Sequence, residues 1–140
     1  AVIGLGATIK TNKREISGDE FFTGMFETAL EDDEVITAVS FPKAEASAYM
    51  KFENPASRYA IVGVFVAKSG DIVKVGVTGA TACAHRGLRL EKALNGNFAA
   101  EAVDEVEIPV EKMNSDIHAS AEYRAHLVKV MTKRAVEACS

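Results

Sequence analysis

The stretch Ala48-Tyr49-Met50-Lys51-Phe52-Glu53-Asn54-Pro55-Ala56-Ser57-Arg58-Tyr59-Ala60-Ile61-Val62-Gly63-Val64 decides how this chain must fold. Its first part sets Tyr49 and Lys51 against Met50 and Phe52 in period two, the pattern of a half-buried strand over residues 47–53. Asn-Pro-Ala-Ser then breaks the pattern, because Pro55 restricts φ and offers no N–H to a ladder. From Ala60 the chain resumes as an almost wholly apolar run to Ala67, which marks an interior strand buried on both faces. Lys68-Ser69-Gly70-Asp71 reads as a hairpin turn, and residues 72–78 return with Val73, Val75 and Val77 alternating against Lys74, Gly76 and Thr78. Three successive antiparallel strands make a meander. Its interrupted loop holds Lys51 and Tyr59 at opposite ends, where they could offer a cation and an aromatic face to one ligand. A snorkelling lysine and a rim tyrosine is the plainer alternative.

Upstream, residues 1–10 mix β-branched and small residues and read as a strand, with a short return strand at residues 14–17. Gly4-Leu5-Gly6 is no dinucleotide loop, since the third glycine is missing and no helix is expected after it. Gly18-Asp19 supplies a helix cap, with Phe21 and Phe22 in a core and Gly24 as the stop. Glu31-Asp32-Asp33-Glu34 reads as a solvated loop and lacks calcium-loop spacing. Residues 35–41 alternate cleanly, with Val35, Thr37, Val39 and Phe41 on one side, and Pro42 ends the strand.

Downstream the chain turns helical. Leu88, Leu90, Ala93 and Leu94 space one helix, and Asn97 can cap a second carrying Phe98, Ala102, Val103 and Val106. The third has a stripe of Tyr123, Leu127, Val130, Met131, Ala135 and Ala138, opposite Glu122, Arg124, Lys129, Lys133 and Glu137. Strands first and helices last give an α+β fold: a three-stranded antiparallel sheet followed by a three-helix bundle.

At 140 residues and 48% apolar content the chain can build a core without disulfides. A net charge of −4 with scattered cations argues against nucleic acid. No apolar run reaches the roughly 20 residues of a membrane span. Cys83 and Cys139 form no CxxC and read as free thiols of a reducing cytoplasm. His85, His118 and His126 show no metal-ligand spacing, and no GxSxG is present, so no catalytic or metal residue is assigned. Cys83 and His85 would share a face of a strand, yet a buried thiol beside an unrelated histidine is commoner than a nucleophilic pair. The chain opens at Ala-Val-Ile, as if already inside a strand, and is expected to be part of a longer protein.

Several segments, in order and spanning nearly the whole chain, resemble one family. Residues 19–24 (Asp-Glu-Phe-Phe-Thr-Gly), 27–31 and 34–39 resemble the end of the FAD-binding domain in the medium subunit of carbon-monoxide-dehydrogenase-type molybdenum hydroxylases. Residues 49–64 resemble the junction into that subunit's C-terminal domain, and residues 115–124 the opening of its last helix. The resemblance implies a strand-rich remnant of an FAD domain at residues 1–42, then a flavoprotein C-terminal domain at residues 43–140. It implies an oxidoreductase component passing electrons from iron–sulfur clusters through FAD to an acceptor. Partners would be a molybdopterin large subunit and a 2Fe–2S small subunit.

By position, the resemblance assigns Val35 and Ile36 to a strand lining the flavin, Lys51 to a lysine near its ring system, and Tyr59 to a residue against the isoalloxazine. Apolar side chains exclude water from a flavin ring, and an ammonium favours negative charge near it. The loop Asn54-Pro55-Ala56-Ser57-Arg58 departs from the paired basic residues and Gly-Asp of many relatives. The family's glycine-rich pyrophosphate segments have no counterpart here, so the 140-residue chain alone is expected not to hold FAD, and to be inactive alone. A flavin-free binding or assembly domain is the alternative. Orphaned strand edges in residues 1–41 predict self-association.

Overall fold

The computed structural model describes residues 1–139. Its elements run α1 (Val2–Leu5), β1 (Thr8–Thr11), β2 (Glu15–Ser17), α2 (Gly18–Phe21), β3 (Phe22–Gly24), β4 (Glu27–Thr28) and β5 (Ile36–Ser40). They continue with β6 (Ala46–Glu53), β7 (Ala60–Ser69), β8 (Ile72–Thr78), β9 (His85–Arg86), α3 (Leu88–Gly96), a 3-10 turn at Ala100–Val103, and α4 (Ala121–Ala138).

The meander forms as the alternation requires. Met50 lies opposite Val64 and Phe52 opposite Val62, while Val64 pairs across to Val77 and Val66 to Val75. This places Val62, Val64, Val66, Val73, Val75 and Val77 on one face, where they join Leu90, Leu94, Leu127, Val128 and Met131 in the main core. Valine suits this position because a β-branched side chain packs well on a pleated surface already restricted at χ1. The other face carries Tyr49, Lys51, Gly63, Phe65, Gly76 and Thr78, and α1 lies across it. A Cβ on Gly4 would sit 2.5 Å from Phe65 Cδ1, so this glycine lets the helix backbone approach the sheet. The sheet is an antiparallel β6-β7-β8-β9 array, gaining one short strand beyond the three expected.

Three expected elements differ. Residues 1–10 are not one strand: α1 forms first, closed by Gly6 at φ 65, and β1 begins only at Thr8. Local β propensity yields here to packing against the sheet. The expected second helix is only the 3-10 turn at Ala100–Val103, because the Asn97 N–H closes α3 on the Ala93 carbonyl rather than opening a new helix. The helical part is therefore two α-helices and one tight turn. In α4, capped by Ser120 Oγ accepting from the Tyr123 N–H at 3.2 Å, Arg124 sits on the buried face while Tyr123 and Ala138 are exposed.

A second, smaller cluster of Ile9, Ile16 and Phe21 lies under the sheet β2-β1-β5, with Phe22 packed edge-on to Phe21 at 5.2 Å. Here the acidic run departs from a solvated loop. Glu34 is buried: it accepts from Arg14 Nε and Nη2 at 2.9 Å each, from Thr11 Oγ1 at 2.7 Å and from the Glu31 N–H at 3.0 Å. Lys13 pairs with Glu31 and Asp33 outside it. The Arg14 guanidinium, the Glu31 N–H and the Thr11 hydroxyl together hold the Glu34 carboxyl down at about 2. Two joints fasten this part to the main sheet. One is α1 itself; the other is Arg86, which donates to Glu91 of α3 at 2.5 and 2.6 Å and to Asp19 of α2 at 2.8 Å.

Candidate functional site

The loop between β6 and β7 is built by Asn54. Its Oδ1 accepts from the N–H groups of Ala56 and Ser57 at 2.9 and 3.2 Å, and its own N–H donates to the Tyr59 carbonyl at 2.8 Å. This side-chain mimicry of a backbone turn is what asparagine supplies before proline. Arg58 closes the loop in the left-handed region at φ 63, an unusual conformation for a residue with a Cβ. The Lys51 ammonium donates to the Arg58 carbonyl at 2.9 Å, so it is tied to the peptide just before Tyr59. Glu53 bridges both cations, at 3.3 Å from Lys51 and 3.3 Å from Arg58. Tyr59 itself is 80% exposed on this braced loop.

The structure thus brings Lys51 and Tyr59 to one hairpin end. Val35 and Ile36 form a separate pair. Val35 exchanges bonds with Asn12, donating to Oδ1 at 2.9 Å and accepting at 3.1 Å, directly after the buried Glu34. Val35 is 64% and Ile36 41% exposed. Their strand forms as the alternation suggests but pairs only with β1 among the described residues, and it is exposed along its length. As the edge strand of β2-β1-β5 it lies beyond the Ile9, Ile16 and Phe21 cluster, so both sides of its alternation stay open.

One feature of the surface was not assigned from sequence. A cleft of about 580 Å³ opens between α1 and the outer sheet face, lined by Val2, Phe22, Tyr49, Phe65, Thr78 and Ala84. The Tyr49 hydroxyl rests against Gly63, at a place any Cβ would fill. The signal was present: Tyr49 precedes Lys51 by two residues and so shares its face. Cys83 and His85 do not form a nucleophilic pair: His85 Nδ1 faces Thr81 Oγ1 at 2.9 Å and the Cys83 carbonyl, not the thiol, at 3.4 Å. Among the described residues no cluster of acidic, histidine or cysteine side chains could hold a metal.

A flavin dinucleotide has two demands, and the chain's residues fit one. Exposed apolar side chains and a fixed ammonium suit the ring. The pyrophosphate needs free backbone N–H groups on a glycine-rich loop at a helix start. Gly4 is committed to packing on Phe65, and Gly6 ends α1 rather than opening a helix.

The architecture is that of an α+β domain, one antiparallel sheet backed by helices. Residues 47–139 match the family model described as the CO dehydrogenase flavoprotein C-terminal domain, and the chain belongs to that family. It is 33% identical to the nicotine 6-hydroxylase medium subunit of Paenarthrobacter nicotinovorans over 134 residues, covering 89% of this chain and 47% of that one. To the carbon monoxide dehydrogenase medium chain of Hydrogenophaga pseudoflava it is 29% identical over 138 residues, covering 90% and 48%. A solved CO dehydrogenase from Oligotropha carboxidovorans superposes with a TM-score of 0.81 at 25% identity, over 99% of this chain and 54% of that one. The chain spans about half the length of the relatives it matches.

Proposed function

We propose that this chain is the C-terminal part of the flavin subunit of a carbon-monoxide-dehydrogenase-type molybdenum oxidoreductase, working in the cytoplasm. In this reading residues 1–42 are the tail of an FAD-binding domain, and Val35, Ile36, Lys51 and Tyr59 face the ring. An upstream half holds the pyrophosphate. A 2Fe–2S small subunit and a molybdopterin large subunit supply the electrons, and bound FAD relays them to an acceptor. The observation that carries this reading is Tyr59. A large aromatic standing 80% exposed on a loop braced by Asn54, Lys51 and Glu53 is a surface prepared for a flat partner.

Lys51 contributes a cation to that surface: its ammonium is tied to the Arg58 carbonyl, and Glu53 is shared between Lys51 and Arg58, so the loop keeps a net positive charge. A fixed cation favours the ring when it carries more negative charge, so it raises the potential of a flavin beside it. The test joins the chain to its upstream half and records flavin content, absorbance and midpoint potential for the parent, Lys51→Met and Tyr59→Ala. Lys51→Met is expected to lower the potential, and Tyr59→Ala to shift the ring's absorbance and fluorescence. The 140-residue chain alone is expected to bind no FAD. Flavin properties unchanged in both variants would sink the assignment and favour a flavin-free assembly domain.

A further inference from the structure

A second cavity, of about 620 Å³, lies on the helix-bearing side of the sheet, between β9, the start of α3 and residues 108–113. Its floor is Val77, Leu90, Ile108, Met113 and Val128, three of which are core residues exposed by 2% or less. None of the four flavin-facing candidates lines it. Its wall is held open by backbone structure. The Asn114 N–H donates to the Ala80 carbonyl at 2.8 Å, Asn114 Nδ2 donates to the Thr81 carbonyl at 2.9 Å, and Thr81 bridges Met113. A site shaped before its ligand arrives loses less on binding.

The polar groups around this apolar floor are mostly cationic. Arg86, Arg89 and Lys112 face a single carboxylate, Glu111, on a chain whose net charge is −4. Arg86 is neutralised by Glu91 and Asp19. Arg89 Nη1 donates to the Glu107 carbonyl at 3.1 Å and lies 3.8 Å from its carboxylate, with the side chain still 60% exposed, and Lys112 has no ion pair or hydrogen bond among the described residues. His85 is tied into the wall. The Thr81 hydroxyl donates to the Cys83 carbonyl at 2.8 Å and lies 2.9 Å from His85 Nδ1, which fixes the ring in the cavity wall.

We propose that this cavity binds a small amphipathic monocarboxylate, an alkyl or aryl body against Val77, Leu90 and Val128 with its carboxylate toward Lys112 and Arg89. The volume falls within the range of small-molecule sites, and the mostly apolar wall disfavours highly charged ligands such as nucleotides.

Cys83 lines the cavity and reports on it, while Cys139, half-buried elsewhere with its thiol pushed up by burial, serves as the internal control. The experiment follows alkylation of both thiols by iodoacetamide in the 140-residue chain, by mass spectrometry, during titration with octanoate and separately with 1-octanol. Octanoate is expected to protect Cys83 saturably and to leave Cys139 unchanged. Arg89→Glu with Lys112→Glu, checked for an unaltered circular dichroism spectrum, is expected to weaken octanoate protection about tenfold or more, the scale of 1.4 kcal/mol. Octanol protection should not change in that variant. Absence of protection, equal slowing of both thiols, or octanoate protection indifferent to the charge reversals would each overturn the proposal.

Discussion

Replacing Arg124 with methionine tests whether the buried guanidinium at the start of α4 holds the sheet together or merely decorates it. Arg124 is 4% exposed, and its Nη1 donates to the carbonyls of Ile61 at 2.6 Å and Gly79 at 3.0 Å. Its Nη2 donates to Asp116 at 2.7 Å. The same arginine therefore ties the first residues of β7 and the turn after β8 to the last helix. Methionine keeps the apolar stem and removes every donor. The Ile61 carbonyl then loses a buried partner at the full desolvation cost, about 1–3 kcal/mol. The Gly79 carbonyl loses less, because Asn114 Nδ2 stays 3.4 Å away. Asp116 is half-exposed and recovers water. The buried Nε has no partner among the described residues, so deleting it offsets part of the loss.

The net expectation is a destabilisation of about 2–4 kcal/mol. With an unfolding entropy near 2.1 cal/mol/K per residue, that corresponds to a fall in Tm of roughly 7–14 °C. Thermal and urea melts of Arg124→Met, Asp116→Asn and the parent give the answer. Asp116→Asn should cost distinctly less, since the backbone carbonyls carry the larger share. Arg124→Met losing under about 1 kcal/mol, or matching Asp116→Asn, refutes the reasoning.

Two further outcomes follow from the same structure. The Glu34 carboxyl, held at about 2 chiefly by Arg14, has a folded value below its unfolded one near 4.5, so its contribution is full above that value and fades as pH falls toward 2. Urea melts between pH 5 and 2 should show stability dropping across that window, and Glu34→Gln should flatten it; an equally steep drop in the variant contradicts the assignment. Gly79 has φ 78, and a Cβ there would lie 2.7 Å from the carbonyls of both Ala60 and Ile61, whereas Gly70 at φ 57 has open space. Gly70→Ala should cost about 1–2 kcal/mol from the backbone alone. Gly79→Ala should cost clearly more, and equal melts for the two would show that the close approach is relieved cheaply.

Much of the main sheet was legible because period-two alternation and a continuous apolar run are properties of neighbouring residues. The hairpin with Lys51 and Tyr59 was legible for the same reason: the Asn54 Oδ1 and backbone N–H build its turn with partners within five residues. The core stripe of α4 could be read from Leu127, Met131 and Ala135, all buried. Family membership was likewise written in short ordered segments, and residues 47–139 match the flavoprotein C-terminal domain.

Only the tertiary structure decided where the charges went. Arg124 looks like a surface residue on a helical wheel, yet it is buried because Ile61, 63 residues away, presents it with a carbonyl. Glu34 belongs to an acidic run, yet it is enclosed because Arg14, 20 residues earlier, forks onto it. The exposure of Val35 and Ile36 depends on their strand being an edge, which no local pattern states. The helical α1 depends on a glycine meeting Phe65 across the sheet. A periodicity records what a segment can bury; whether a charge or an edge is buried depends on partners that only the folded chain brings within reach.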